Sequence, residues 1–284
     1  MSTALTLTDL TNSVAVTVRE YVQACELQLP ADYSVENALK SATLILQNMK
    51  VDKQPVAMVC SASSIKNSLL CMAVQGMNLD KKQGYFIAYG SSLAFQRSYF
   101  GNMALAKRLD NNIDEIYADV VYKGDTFEYS KVKGRTVIDI HKQTLNNIKR
   151  EAIVAAYAIV IYKDGKENST IMTFDEIVQA WKQSSGKPFD DKGVLKSDSV
   201  HYKFTAEMCK KTVTSKACKP IINSSDDSNL VVKFAKQSDD DSAIAEVEEE
   251  VTENANKIPF DVSDVPEAHD VEFKDVEGKE ADPF

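Results

Sequence analysis

No apolar run in this chain approaches the ~18 residues that a bilayer crossing needs, so no membrane span is expected. Residues 1–10 lack both the basic and the apolar region of a secretory signal. The five cysteines (Cys25, Cys60, Cys71, Cys209, Cys218) are an odd number without a CxxC pair. Three scattered histidines (His141, His201, His269) add no zinc-type ligand spacing, so reduced, buried thiols are expected. The phosphate-cradling GxxxxGK(S/T) loop is missing, because Gly186-Lys187 runs into Pro188. GxGxxG, GxSxG and HExxH are missing too, which leaves no signature for nucleotide hydrolysis, dinucleotide binding, a serine nucleophile or a zinc protease. A metal nuclease needs carboxylates on a rigid frame. The dense acidic runs here lie near the C-terminus, and Asp110, Asp114 and Asp119 fit a solvated surface better than a metal site.

Charge is present but unevenly spread. The net charge of −9 conceals a tail, residues 239–284, with 17 Asp/Glu against Lys257, Lys274 and Lys279, a balance of −14. The other 238 residues therefore carry +5. A basic body suits a polyanion, and an acidic tail suits a decoy or a docking segment; a tail that only aids solubility accounts for the charge equally well. An apolar share of 44% is that of a globular protein, whereas the composition from Ser238 onward is that of a disordered segment.

Periodicity and turn signals give an order of elements. Helices are expected over 3–27, from a Ser34 cap to about Met49, and from a Ser63 or Ser64 cap to about Gln75, closing at Gly76. A hairpin follows, 84–89 and 93–97, about Gly90-Ser91-Ser92, and then a helix over 99–109 capped by Ser98. Strands are expected at 113–123, 125–130 and 135–140, and as a pair at 155–162 and 169–173 about Asp164-Gly165. A helix over 174–183, a loop over 184–188, a long helix over 199–217 stopping before Pro220 and a short helix over 226–236 complete the chain. The fold class is α+β: N-terminal helices, a central antiparallel sheet with a hairpin and interleaved helices, then a C-terminal helix and an acidic tail.

The stretch 81–108 interleaves Lys81, Lys82, Arg97, Lys107 and Arg108 with Tyr85, Phe86, Tyr89, Phe95, Tyr99 and Phe100. Single-stranded nucleic acid asks for this mixture, cations tracking phosphates and aromatic faces stacking bases. Several of the rings must face a core instead, since alternate strand residues point to opposite faces. On the helix after the hairpin, Gly101, Ala104 and Arg108 fall on one side; small residues there serve either a phosphate backbone or close helix packing. A second basic stretch spans 203–219, where Lys203, Lys210 and Thr214 share one helical face in front of an apolar stripe.

With these residues in view, the chain resembles the RecT family of phage single-strand annealing proteins. The resemblance runs through Gln75-Gly76-Met77-Asn78-Leu79, Gly84-Tyr85-Phe86-Ile87-Ala88-Tyr89, Gln96-Arg97-Ser98-Tyr99-Phe100-Gly101 and Leu105-Ala106-Lys107-Arg108. It continues in Val121-Tyr122, Asp125-Thr126-Phe127-Glu128-Tyr129, His141, Ala156-Tyr157-Ala158 and Met208-Cys209-Lys210-Lys211-Thr212. It implies ATP-independent annealing of complementary strands on an oligomeric ring or helical filament, in phage homologous recombination beside an exonuclease. Residues 1–237 are then the DNA-binding, oligomerising body (helices 1–77, sheet and helix core 78–225) and 238–284 the tail. The absent ATP-binding loop agrees independently, since annealing needs no covalent chemistry, only two backbones brought together with their repulsion neutralised.

Within that frame Arg97 and Arg108 are expected as phosphate ligands, and Gln96 and Asn102 as polar backbone contacts. Lys81, Lys82 and Lys107 follow the phosphates. Lys203, Lys210, Lys211, Thr214 and Lys216 form a second cationic wall, and Tyr89, Phe95 and Tyr99 are wedges or stacking faces. No catalytic or metal-binding residue and no cofactor are expected, magnesium being a candidate aid to annealing. The tail ends in Asp282-Pro283-Phe284, similar to the tip of bacterial single-stranded DNA-binding proteins. Expected partners are single-stranded DNA and its complement, further copies of the chain, a phage exonuclease and the host single-stranded DNA-binding protein, in the bacterial cytoplasm near the nucleoid. The competing expectation is an interaction adaptor that acts through its acidic tail.

Overall fold

The structure, a computed structural model, describes residues 6–183, 188–225 and 230–237. The loop expected at 184–188, the start of the helix expected at 226–236 and the acidic tail fall wholly or mostly outside the described residues. The class is α+β: helices at the N-terminus, small antiparallel sheets in the middle, and a long helix laid across the largest sheet.

Helix α1 (Leu7–Gln23) starts at Thr6, whose hydroxyl and the Asp9 carboxylate close a capping box, and α2 (Val35–Asn48) starts at Ser34. Short β1 (Lys50–Val51), β2 (Gln54–Pro55) and α3 (Val56–Val59) fill the stretch between the second and third expected helices. Helix α4 (Ala62–Val74) is capped by Ser61, earlier than the serines at 63 and 64, because Ser61 has extended backbone and accepts the Ser64 N–H. Val14, Val18, Leu39, Leu46, Leu69 and Met72 are at most 1% exposed and join the three long helices in one apolar core that continues into the sheet.

Strands β3 (Gly84–Tyr89) and β4 (Ser92–Arg97) form the expected hairpin, with Tyr89 opposite Ser92 and Gly90 at φ +53 in the two-residue turn. Helix α5 (Tyr99–Leu109) begins at the Ser98 cap. The central sheet has the order β5 (Ile113–Tyr122), β8 (Ile153–Tyr162), β9 (Glu167–Thr173), all antiparallel. Between β5 and β8 the chain makes an excursion: β6 (Thr126–Val132) and β7 (Arg135–Lys142) pair only with each other. Their turn, Lys133-Gly134, has φ +53 and +82, as two-residue hairpin loops require.

Helix α6 (Phe174–Lys182) is capped by Thr173 and Glu176 in a second capping box. The expected long helix is broken: α7 (Val200–Lys203) ends at Phe204, whose φ −129 and ψ 49 are not helical, and α8 runs Thr205–Asn223. The break places Lys203 on a different helix from Lys210 and Thr214. Helix α8 passes through Pro220 instead of stopping before it. Buried Cys209, Val213, Ala217, Cys218 and Ile222 anchor both sides of the proline against the sheet and α5. That burial outweighs the ~3 kcal/mol a helix-interior proline costs. A last helical segment, 230–237, buries Val231, Val232 and Ala235.

Candidate nucleic-acid interface

The start of α5 is built by hydrogen bonds that converge on Ser98. Its hydroxyl accepts the Gly101 N–H (3.2 Å) and donates to the Lys82 carbonyl (2.6 Å), while its own N–H donates to the Gln83 carbonyl (3.0 Å). The Gln83 side chain in turn accepts the Asn78 N–H at 2.8 Å. The turn 78–83 is thus pinned over the first turn of α5, and Lys81 and Lys82 stand exposed beside it. A Cβ on Gly101 would lie 2.0 Å from the Gln83 carbonyl oxygen, so this glycine serves close packing of helix on turn.

At the same helix end the Tyr99 and Phe100 rings meet at a tilt of 32° with centroids 4.0 Å apart, and Phe100 is 43% exposed. Burial raises the Tyr99 phenol, with Glu207 adding to the effect and Lys210 opposing it, which places the start of α5 against α8. The Lys210 ammonium lies 3.5 Å from both the Asp119 and the Glu207 carboxylates. Two exposed lysines, a helix N-terminus with its outward N–H groups, a tilted aromatic pair and Lys210 therefore share one region.

Other expected contacts lie elsewhere. Arg97 is 8% exposed and points inward: Nη1 donates to Gln75 Oε1 (2.7 Å) and to the Ala235 carbonyl (3.1 Å), and Nε donates to Asn102 Oδ1 (3.0 Å). It binds α4, α5 and the segment 230–237 together, and Asn102 is spent on it. Arg108 donates through Nη1 to the Val74 carbonyl (3.2 Å) and through Nη2 to the Gln28 carbonyl. Burial lowers its guanidinium to about 10. Tyr89 and Phe95 are 7% and 2% exposed; Phe95 packs edge-on against Phe86, and Tyr89 sits with Ala94 and Ile87 in a small cluster of its own. Gln96 is half-buried opposite Tyr85, and Lys107 donates to the Asp114 carbonyl at 2.7 Å.

The expected second wall divides. Neighbouring helix residues are about 100° apart, so Lys210 faces β5 while Lys211 and Lys216 face α6, where Lys216 lies 3.7 Å from Glu176. Lys203 is exposed on α7, and Thr214 is 2% exposed, within the core.

Sequence reasoning did not single out the β6–β7 hairpin. Its tip carries Lys131, Lys133 and Arg135, all exposed, with Tyr129 and Val132 exposed beside them. A run of alternate charges about a Lys-Gly turn was the available signal. The base of the hairpin is fixed to the sheet: Phe127 stacks on Tyr157 (5.5 Å), and His141 Nδ1 is 2.9 Å from the Tyr157 hydroxyl. Asp125, its side chain fully buried, accepts from Tyr122 N (2.9 Å), Asn147 (2.9 Å) and Gln143 (3.0 Å) and lies 3.3 Å from His141 Nε2.

Among the described residues no group of three or more His, Cys, Asp or Glu is placed to hold a metal ion, and no helix is long and apolar enough to cross a membrane. No curated protein matches the sequence. The sequence profile of the RecT family matches residues 36–256, from α2 past the last described helix. With most of its length matched, this chain belongs to the RecT family, the single-stranded DNA annealing proteins of phage recombination.

Proposed function

We propose that the chain binds single-stranded DNA across the start of α5 and anneals complementary strands without ATP and without making or breaking covalent bonds. The observation that carries this is the tilted Tyr99–Phe100 pair, with Phe100 43% exposed, flanked by Lys81 and Lys82 above the helix N-terminus. The rings offer a face to any base, and the ammonium and N–H groups take phosphate without reading sequence. Lys210, held between two carboxylates, is a cation that a phosphate can draw away. The basic hairpin tip extends the same chemistry at the end of a β6–β7 ribbon roughly 25 Å long. Arg97 and Arg108 support this face from behind by fixing the helices that carry it. Oligomerisation would place several such faces in line, leaving base edges free to pair. A phage exonuclease that exposes single strands and the host protein that coats them are the partners this activity calls for.

The test is annealing of two complementary labelled oligonucleotides without ATP over a salt series, with product length checked on a gel. Faster annealing that fades with salt and leaves DNA intact is expected. Phe100→Ala should weaken binding by about 1–3 kcal/mol. Intact DNA with no acceleration would favour the adaptor function of the tail, and shortened DNA would mean a nuclease.

A further inference from the structure

Between α6 and α8, on the side of α8 turned away from Lys210, lies an open pocket of about 600 Å³. Met208 and Ala180, with the edges of Trp181 and Met172 (3% and 4% exposed), supply its apolar wall, and His201 packs edge-on against Trp181 at 4.8 Å. The Trp181 indole donates to the Thr212 hydroxyl (2.8 Å), which fixes the ring. Lys211, Lys216 and Lys219 border it against a single carboxylate, Glu176, which lies 3.7 Å from Lys216. Among the described residues Lys211 and Lys219 make no ion pair. Burial lowers the Lys211 ammonium, as for a cation short of an anionic partner.

We infer that this pocket is a binding site for an acidic, phenylalanine-bearing peptide, and that its occupant is the segment 239–284 of the same chain. The segment carries −14, and each of its phenylalanines has a carboxylate within two residues: Phe260 beside Asp261, Phe273 beside Glu272, Phe284 near Asp282. Aromatic ring and carboxylate match an apolar floor of Met208, Ala180 and the Trp181 edge bordered by lysines, and a pocket of this size is ordinary for such a ligand. Reach sets no limit. From Gln237 to residues 260, 273 and 284 an extended chain spans roughly 75–155 Å at ~3.3 Å per residue, against a radius of gyration near ~18 Å for a body of this length. Docking holds the negative segment on the basic body. The inference does not depend on how the body binds DNA.

The test uses the full chain with p-benzoylphenylalanine replacing Phe260, Phe273 or Phe284 in turn. The labelled chain is mixed with an isotopically heavy, unlabelled chain, irradiated, digested and mapped by mass spectrometry. At least one position is expected to crosslink within its own chain to the peptides holding Met172, Trp181 or Met208. That crosslink should fall at least fivefold in about 1 M salt, where the Debye length is ~3 Å. It should fall similarly in the exposed-site double variant Lys216→Glu, Lys219→Glu. The salt arm decides the matter if the variant does not fold. Crosslinks absent from this pocket at all three positions, crosslinks joining heavy to light chains, or crosslinks indifferent to salt would overturn the inference. So would a bromodeoxyuridine oligonucleotide that crosslinks to Trp181 in place of the tail, which would assign the pocket to nucleic acid.

Discussion

Asp125 shows how one side chain fixes a part of the fold. Burial alone would raise its carboxyl, but the Tyr122 N–H and the Asn147, Gln143 and His141 side chains outweigh burial and bring it from the ordinary 3.8 to about 2. A depressed carboxyl contributes stability that is complete above pH about 4 and is lost as pH falls towards 2. Denaturant unfolding followed across that window should show the loss in the native chain. Asp125→Asn, which cannot lose a proton, should be less stable at neutral pH and flatter below pH 4. Equal pH slopes for the two chains would remove Asp125 from this role. Arg97 and Arg108 teach a related lesson: an arginine beside small residues in a basic, aromatic stretch reads as a phosphate ligand, yet each guanidinium here satisfies carbonyls of segments distant in sequence.

At the scale of elements, local chemistry decides the boundaries and packing decides their extent. Ser34, Ser98 and Thr173 start helices where sequence places them, because a hydroxyl at an extended residue satisfies the first N–H groups wherever the chain then goes. The β6–β7 ribbon is the element whose chemistry remains most open to partners. Its tip cations, Lys131, Lys133 and Arg135, are all exposed. The triple change Lys131→Ser, Lys133→Asn, Arg135→Ser keeps a turn that tolerates positive φ while removing three charges. It should leave the unfolding midpoint unchanged and lower the salt slope of DNA binding by up to about 2, at ~0.7 per phosphate contact on single strands. An unchanged slope would show that the ribbon does not touch DNA.

For the whole molecule, the described core continues past α8 into the segment 230–237. The segment 230–237 buries Val231, Val232 and Ala235, and Arg97 holds its last turn through the Ala235 carbonyl. Ending the chain after residue 225 should therefore cost about 4 kcal/mol more than ending it after 237, since two valines lose their burial. Calorimetric or denaturant unfolding of the two truncated chains measures the difference, and equal stabilities would mean that the segment only rests on the body.

Sequence by itself determined the α+β order, the β3–β4 hairpin, the start of α5 and the division of charge between body and tail. Each follows from neighbours within a few residues: a cap, a glycine turn, an alternation, a composition. Only the tertiary structure decided which cations are available. Lys210 and Lys211 are adjacent in sequence but face different elements, because the helix turns about 100° between them. Gln75 lies 22 residues from Arg97 and Ala235 lies 138 residues away, too far apart for any local pattern to announce their meeting. Burial of α8 on the sheet carried that helix through Pro220, and the same packing put Thr214 inside and opened a pocket beside Trp181. Such outcomes depend on the summed burial of surfaces from distant elements, a quantity that sequence distributes along the chain and only the fold brings together.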